Sequence, residues 1–150
     1  MSEINNNSRE IITTRVFHYS CEKVFAAWSD PKLLAQWWGP KGFSNTFHVF
    51  DFNASGKWEF TMHGPDGAEY HNENSFTEII VPVKIVFKHL EPVHVFTATA
   101  FFEKTADNTT LSFRMKFESS DEFGKVKEFI AVANEENFDR LESVLITNNK

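Results

Sequence analysis

Thr109-Thr110-Leu111-Ser112-Phe113-Arg114-Met115-Lys116-Phe117 alternates apolar and polar residues without a break, and the chain then changes period. Leu111, Phe113, Met115 and Phe117 fall on one face of a strand; Thr110, Ser112, Arg114 and Lys116 fall on the other. From Ser120 to Ile146 the spacing becomes helical. Val126, Phe129, Ile130, Ala133, Asn137, Leu141, Val144 and Leu145 recur at three- and four-residue steps, which predicts a long amphipathic helix. A strand with one apolar face beside a helix with one apolar stripe implies an α+β domain with sheet packed on helix.

Working outward, Arg9 to Tyr19 is rich in β-branched residues and reads as a strand. Ser20 offers an N-cap to a short helix over Cys21 to Trp28, with Val24, Phe25 and Trp28 on one side. Asp30-Pro31 opens a second short helix with Leu33, Leu34 and Trp37 as its apolar side, ended by Gly39-Pro40. Strands follow over Thr46–Phe52, Lys57–His63, Ala68–Ile80, Lys84–Leu90 and His94–Lys104, separated by turn signals such as Gly64-Pro65-Asp66-Gly67. Trp58, Phe60 and Met62 share a face, as do His94 and Phe96. Tight turns between consecutive strands imply an antiparallel meander of about seven strands, curved round the last helix. Residues 1–8 are expected as a disordered tail, 9–146 as a single domain and 147–150 as a frayed end.

Composition narrows the function. A chain of 150 residues with 41% hydrophobic and 24% charged residues is globular. Its 17 Phe and four Trp need a large core, a lined pocket, or both. The net charge of −6 offers no footprint for nucleic acid and no basic face for an anionic membrane. The lone cysteine, Cys21, excludes an intrachain disulfide and fits a reducing cytoplasm. The polar N-terminus does not read as a signal peptide, and no apolar run could span a bilayer.

Asp30-Pro31-Lys32-Leu33-Leu34-Ala35-Gln36-Trp37-Trp38-Gly39-Pro40-Lys41-Gly42-Phe43 is a distinctive string. It resembles the Asp-Pro…Trp-Trp-Gly-Pro segment of the activator of Hsp90 ATPase homologue 1-like (AHSA1-like) family, within the START / Bet v 1-like (SRPBCC) superfamily. Val24-Phe25-Ala26-Ala27-Trp28, Asp51 with Gly56-Lys57-Trp58, Met62-His63-Gly64-Pro65-Asp66-Gly67 and Phe138-Asp139-Arg140-Leu141-Glu142 follow the same family order. The resemblance runs from about Arg9 to Ile146. It implies a helix-grip fold with a ligand-sized cavity and no fixed reaction. Family members often carry Gly-Trp where this chain has Ala133-Asn134, which implies a larger or wetter cavity end here. They also often carry Arg and a Gly pair where this chain has Asn53-Ala54-Ser55-Gly56.

Catalytic signals are weak. The six histidines (His18, His48, His63, His71, His89, His94) form no His-x-x-x-His pair, and there is no Cys-x-x-Cys. No metal and no cofactor are therefore expected. No nucleophile elbow, phosphate loop or dinucleotide glycine pattern occurs. Cys21 reads as a structural thiol. Period two places Glu69, His71 and Glu73 on one face, either as an acid–base cluster or, the preferred reading, as a solvated outer surface.

The aromatic sets carry the better signal. Trp58, Phe60 and Met62 should share the concave face with Leu111, Phe113, Met115 and Phe117, while Phe129, Ile130 and Ala133 approach from the helix, with Asn134 and Asn137 as polar candidates. His89 and Phe96 complete the expected lining. Trp37 and Trp38 are adjacent and are not expected both to face inward, so one should pack in the core and the other cap the mouth or meet a partner. A buried Asn137 must find a partner in protein, water or ligand. The first hypothesis is a binding protein for a small apolar ligand. A co-chaperone acting on a chaperone partner and a cavity enzyme are the alternatives, with exposed strand edges allowing a homodimer.

Overall fold

The period-two segments form one curved antiparallel sheet in the computed structural model, which describes residues 1–91 and 95–149. In chain order the elements are β1 (Ser2–Asn5), β2 (Glu10–Phe17), α1 (Cys21–Ser29), α2 (Pro31–Trp37), β3 (Ser44–Phe50), β4 (Lys57–His63), β5 (Glu69–Ile80), β6 (Lys84–Glu91), β7 (Phe96–Thr105), β8 (Asn108–Phe117) and α3 (Ser120–Asn148). The sheet order is β1-β2-β8-β7-β6-β5-β4-β3. This is the expected helix-grip architecture. Every strand from β3 to β8 pairs with its sequence neighbour, as tight turns require. Register shifts at Phe47/Val49 in β3–β4 and twice in β5–β6 mark bulges, which bend the sheet towards the helix. His94 lies outside the described residues, so its expected face-sharing with Phe96 is not described.

Caps set the helix starts. The Ser20 hydroxyl accepts from the Lys23 N–H at 3.3 Å, the Asp30 carboxylate from the Lys32 N–H at 3.0 Å, and the Ser119 hydroxyl from the Glu122 N–H at 3.2 Å. Pro31 sits in the first turn of α2, where its missing N–H costs nothing. The concave face buries Trp58, Phe60, Phe76, Ile85, Phe87, Ala98, Ala100, Leu111 and Phe113 against Phe123, Phe138, Leu141 and Leu145 of α3.

Two sequence expectations are corrected. The sheet has eight strands, because Ser2–Asn5 pairs with Glu10–Thr13 where a disordered tail was expected. Three of its four side chains are polar and Ile4 is exposed, so composition hides it. What holds it is the backbone ladder together with a cluster on α3: Ser2 Oγ donates to Glu135 Oε2 at 2.7 Å, and Arg15 binds Glu135 at 3.0 Å and Asp139 at 2.7 Å. At the other terminus α3 stays helical to Asn148, with the Asn148 and Asn149 amides donating to Val144 and Leu145 carbonyls.

Burial opposes ionisation of Glu135, but hydrogen bonds from Ser2, the N-terminal amino group and Arg15 outweigh it and hold its pKa below the ordinary carboxylate value. A carboxyl depressed on folding adds stability above its unfolded pKa and loses it as pH falls through its folded pKa. Glu135→Gln should therefore be less stable than wild type near neutrality, the gap closing below about pH 4.5. Urea midpoints at neutral and acid pH check this; a gap constant with pH would contradict it.

Candidate functional site

The inward face of the sheet turns polar at one end. On β5 the inward residues run Phe76, Asn74, Asn72; on β6 they run Ile85, Phe87, His89. Asn74 and His89 are paired across these strands, and Asn74 Oδ1 lies 2.9 Å from His89 Nδ1. The Asn74 amide donates to the Trp58 carbonyl at 3.3 Å. The His89 ring stacks on Phe96, centroids 4.8 Å apart. Facing them from α3 are Asn134 and Asn137, both buried. The Asn134 amide points to Met115 Sδ at 3.4 Å, and the Asn137 amide reaches Asn134 Oδ1 at 3.4 Å. Asn137 Oδ1 has no partner although the residue is only 8% exposed.

These groups stand round a cavity of about 190 Å³ between sheet and α3. Trp38, Phe60, Met62, Phe87, Phe96, Phe113 and Met115 make its apolar walls, with Ile130 and Ala133 on the helix side. Gly39 and Pro40 form part of the rim. At Gly39 φ is +102°, and a Cβ would come within 2.8 Å of Met62 Cε. A side chain there would be strained and would crowd a wall residue.

Of the predicted lining, Trp38, Phe60, Met62, His89, Phe96, Phe113, Met115, Ala133, Asn134 and Asn137 come together here. Three residues do not. Trp37 is wholly buried in the core, its Nε1 donating to the Ala27 carbonyl at 2.9 Å. Trp38 reaches the cavity, but against expectation both rings face inward: they pack on Trp28 at 4.9 and 5.9 Å and on each other at 5.6 Å, because the chain leaves the helix in an extended conformation at Trp38. Trp58 lies behind the wall, packed on Trp38, Phe60 and Phe87 at 4.8–5.3 Å. Phe129 is 67% exposed, because the helix is rotated to bury Asn134 and Phe138. Ile130 also lines the cavity, as its place on the helix face implied; Asn72, Asn74 and Phe87 were missed. Period two counted back from Phe76 would have found both asparagines; the polar look of that segment hid them.

The expected Glu69, His71, Glu73 grouping is also rearranged. Glu69 lies 3.9 Å from His63, whereas His71 Nε2 lies 3.3 Å from Glu59 and 3.5 Å from Glu73. All are on the outer face, away from the cavity. A larger groove of about 430 Å³ lies at the opposite end of the sheet, beside Cys21, Val83, Phe102 and Asn108. Cys21 there is buried, with the Thr109 hydroxyl 3.4 Å and the Phe102 carbonyl 3.9 Å from its sulfur. No residue of α3 contributes to that groove.

Among the described residues no helix is long and apolar enough to cross a membrane. The family described as activator of Hsp90 ATPase homolog 1-like protein matches residues 18–145. A solution structure of an Arthrobacter aurescens protein is similar at TM-score 0.92 and 26% identity, over 98% of this chain and 91% of that one. A crystal structure of a Mycobacterium smegmatis protein shares the fold at TM-score 0.88 and 18% identity, over 99% and 98%. The AHSA1 protein from Silicibacter pomeroyi does so at TM-score 0.77 and 20% identity, over 93% and 99%. Comparison with curated proteins finds no match.

Proposed function

The chain belongs to the activator of Hsp90 ATPase homolog 1-like family, and we propose that it holds a small amphipathic molecule in the cavity between the sheet and α3. One observation carries this reading: Asn137 lines this largely apolar cavity, and its buried Oδ1 has no partner. Leaving such a group unpaired costs about 1–3 kcal/mol, so a ligand donor placed there recovers free energy. An apolar cavity of about 150 Å³ takes benzene. The present volume of about 190 Å³ suits a compact ring compound bearing one hydroxyl or N–H.

Among the described lining residues His89 is the one titratable side chain, and it is engaged by Asn74. The family description supports a second reading, a co-chaperone acting on a chaperone ATPase. Stimulation of such an ATPase by the pure protein would favour that reading.

Native mass spectrometry of freshly purified protein should show a co-purified small molecule. By NMR titration, phenol should bind more tightly than its near-isostere toluene by about tenfold, the worth of one buried hydrogen bond. Asn137→Leu should abolish that preference while folding at least as stably as wild type. Equal affinities for phenol and toluene, or a preference that survives in Asn137→Leu, would overturn the assignment of Asn137. Saturable binding of neither compound would overturn the proposal.

A further inference from the structure

Glu59 of β4 and Glu73 of β5 are direct cross-strand partners. Like charges placed opposite one another destabilise a sheet unless something lies between them. What lies beside them is His71, two residues from Glu73 on the same outward face. Its Nε2 is 3.3 Å from Glu59 Oε1 and 3.5 Å from Glu73 Oε1, and the three ligand atoms all lie within 4.8 Å of one another. A tetrahedral zinc ion with ligands at about 2.0–2.1 Å has ligand–ligand edges of about 3.3–3.5 Å. Both histidine–carboxylate separations match that edge.

We infer that Glu59, His71 and Glu73 form a surface site for a divalent transition-metal ion of the zinc class, separate from the cavity. Imidazole with two carboxylates is a donor set suited to zinc, copper and nickel, and unsuited to magnesium or calcium, which favour all-oxygen shells. Two negative carboxylates neutralise the ion, and solvent water completes four-coordination. The strand backbone holds the three side chains in place, since their positions follow from the β4–β5 register rather than from a loop. His48 on β3 flanks the site: its ring stacks on His71 with centroids 6.0 Å apart, and its Nε2 is 2.8 Å from Thr61 Oγ1. On the same face Lys57 Nζ is 4.0 Å from the other oxygen of Glu59, the one local cation among the described residues within ion-pair reach of the two carboxylates. His63 makes a different arrangement, with Thr46 at 2.8 Å and a single carboxylate, Glu69, at 3.9 Å. It serves as an internal control.

The test is a zinc chloride titration of the full chain, followed by calorimetry and by the NMR shifts of the imidazole nitrogens. The expected result is a single zinc per chain that moves the His71 signals first. His71→Ala and Glu73→Gln should each weaken binding by more than about tenfold, while His63→Ala changes it by less than about threefold. These side chains are solvent-facing, so circular dichroism should show the variants folded. Two results would overturn the inference: no saturable heat from zinc, or equal loss in His71→Ala and His63→Ala, which would mean scattered binding to surface histidines.

Discussion

Arg140→Met is expected to destabilise the protein by about 2–4 kcal/mol. The Arg140 guanidinium leaves α3 and donates to a fan of backbone carbonyls on the segment between α2 and β3. Its Nη1 reaches Gly39 at 2.7 Å, Pro40 at 3.1 Å and Trp38 at 3.4 Å; its Nη2 reaches Gln36 and Phe43, each at 2.9 Å. Burial lowers the Arg140 pKa, so the charge is held at a cost that these carbonyls offset. The same segment carries Trp38, Gly39 and Pro40 of the cavity wall and rim. Losing the clamp should thus free the mouth as well as lower the midpoint. Arg140→Lys should recover less than half of the loss, because an ammonium cannot span five acceptors as a planar guanidinium does. Chemical denaturation gives the stability; amide hydrogen exchange at Trp38 and Gly39 gives the local opening. Full recovery by lysine would mean that charge alone matters there.

Trp58→Ala should cost about 3–5 kcal/mol. The Trp58 ring is 1% exposed and sits at the centre of an aromatic cluster. It contacts Phe60 at 4.8 Å, Trp38 at 5.1 Å, Phe87 at 5.3 Å and Phe47 at 5.7 Å, and stacks on Phe76 at 5.9 Å. Close packing on all sides leaves little room for the site to collapse, which puts the loss at the upper end of the range. Trp58→Phe should cost only about 1–2 kcal/mol, since it removes a buried Nε1 that has no hydrogen-bond partner along with part of the ring. Thermal unfolding monitored by near-ultraviolet circular dichroism would measure both. A normally stable Trp58→Ala protein with altered ligand uptake would place the ring in the cavity wall instead.

The two variants separate roles that sequence reading had merged. Trp58 and Trp38 are both large, aromatic and near the same helix–sheet junction, and both were expected to line the cavity. Only Trp38 does, because Trp58 is covered by Trp38 itself and by Phe87. Phe129 shows the same limit on the helix. Steps of three and four residues are satisfied by Val126-Phe129-Ala133 and equally by Val126-Ile130-Ala133-Asn137. The choice falls to Ile130 because Phe123, Phe138 and Leu141 must reach the sheet together.

Strand and helix positions from β2 onward, the alternation of inward and outward side chains, and the caps at Ser20 and Asp30 were readable from residue order alone. Each follows from backbone geometry over a few neighbours: a period of two, a period of 3.6, or a side-chain oxygen near a free N–H. The tertiary structure alone decided that residues 2–5 form an edge strand, that Asn137 keeps one acceptor unpaired, that Arg140 fastens the mouth, and that Glu59 rather than Glu69 meets His71. These depend on strand register and helix rotation. Contacts between residues far apart in the chain set both, and no local pattern encodes them.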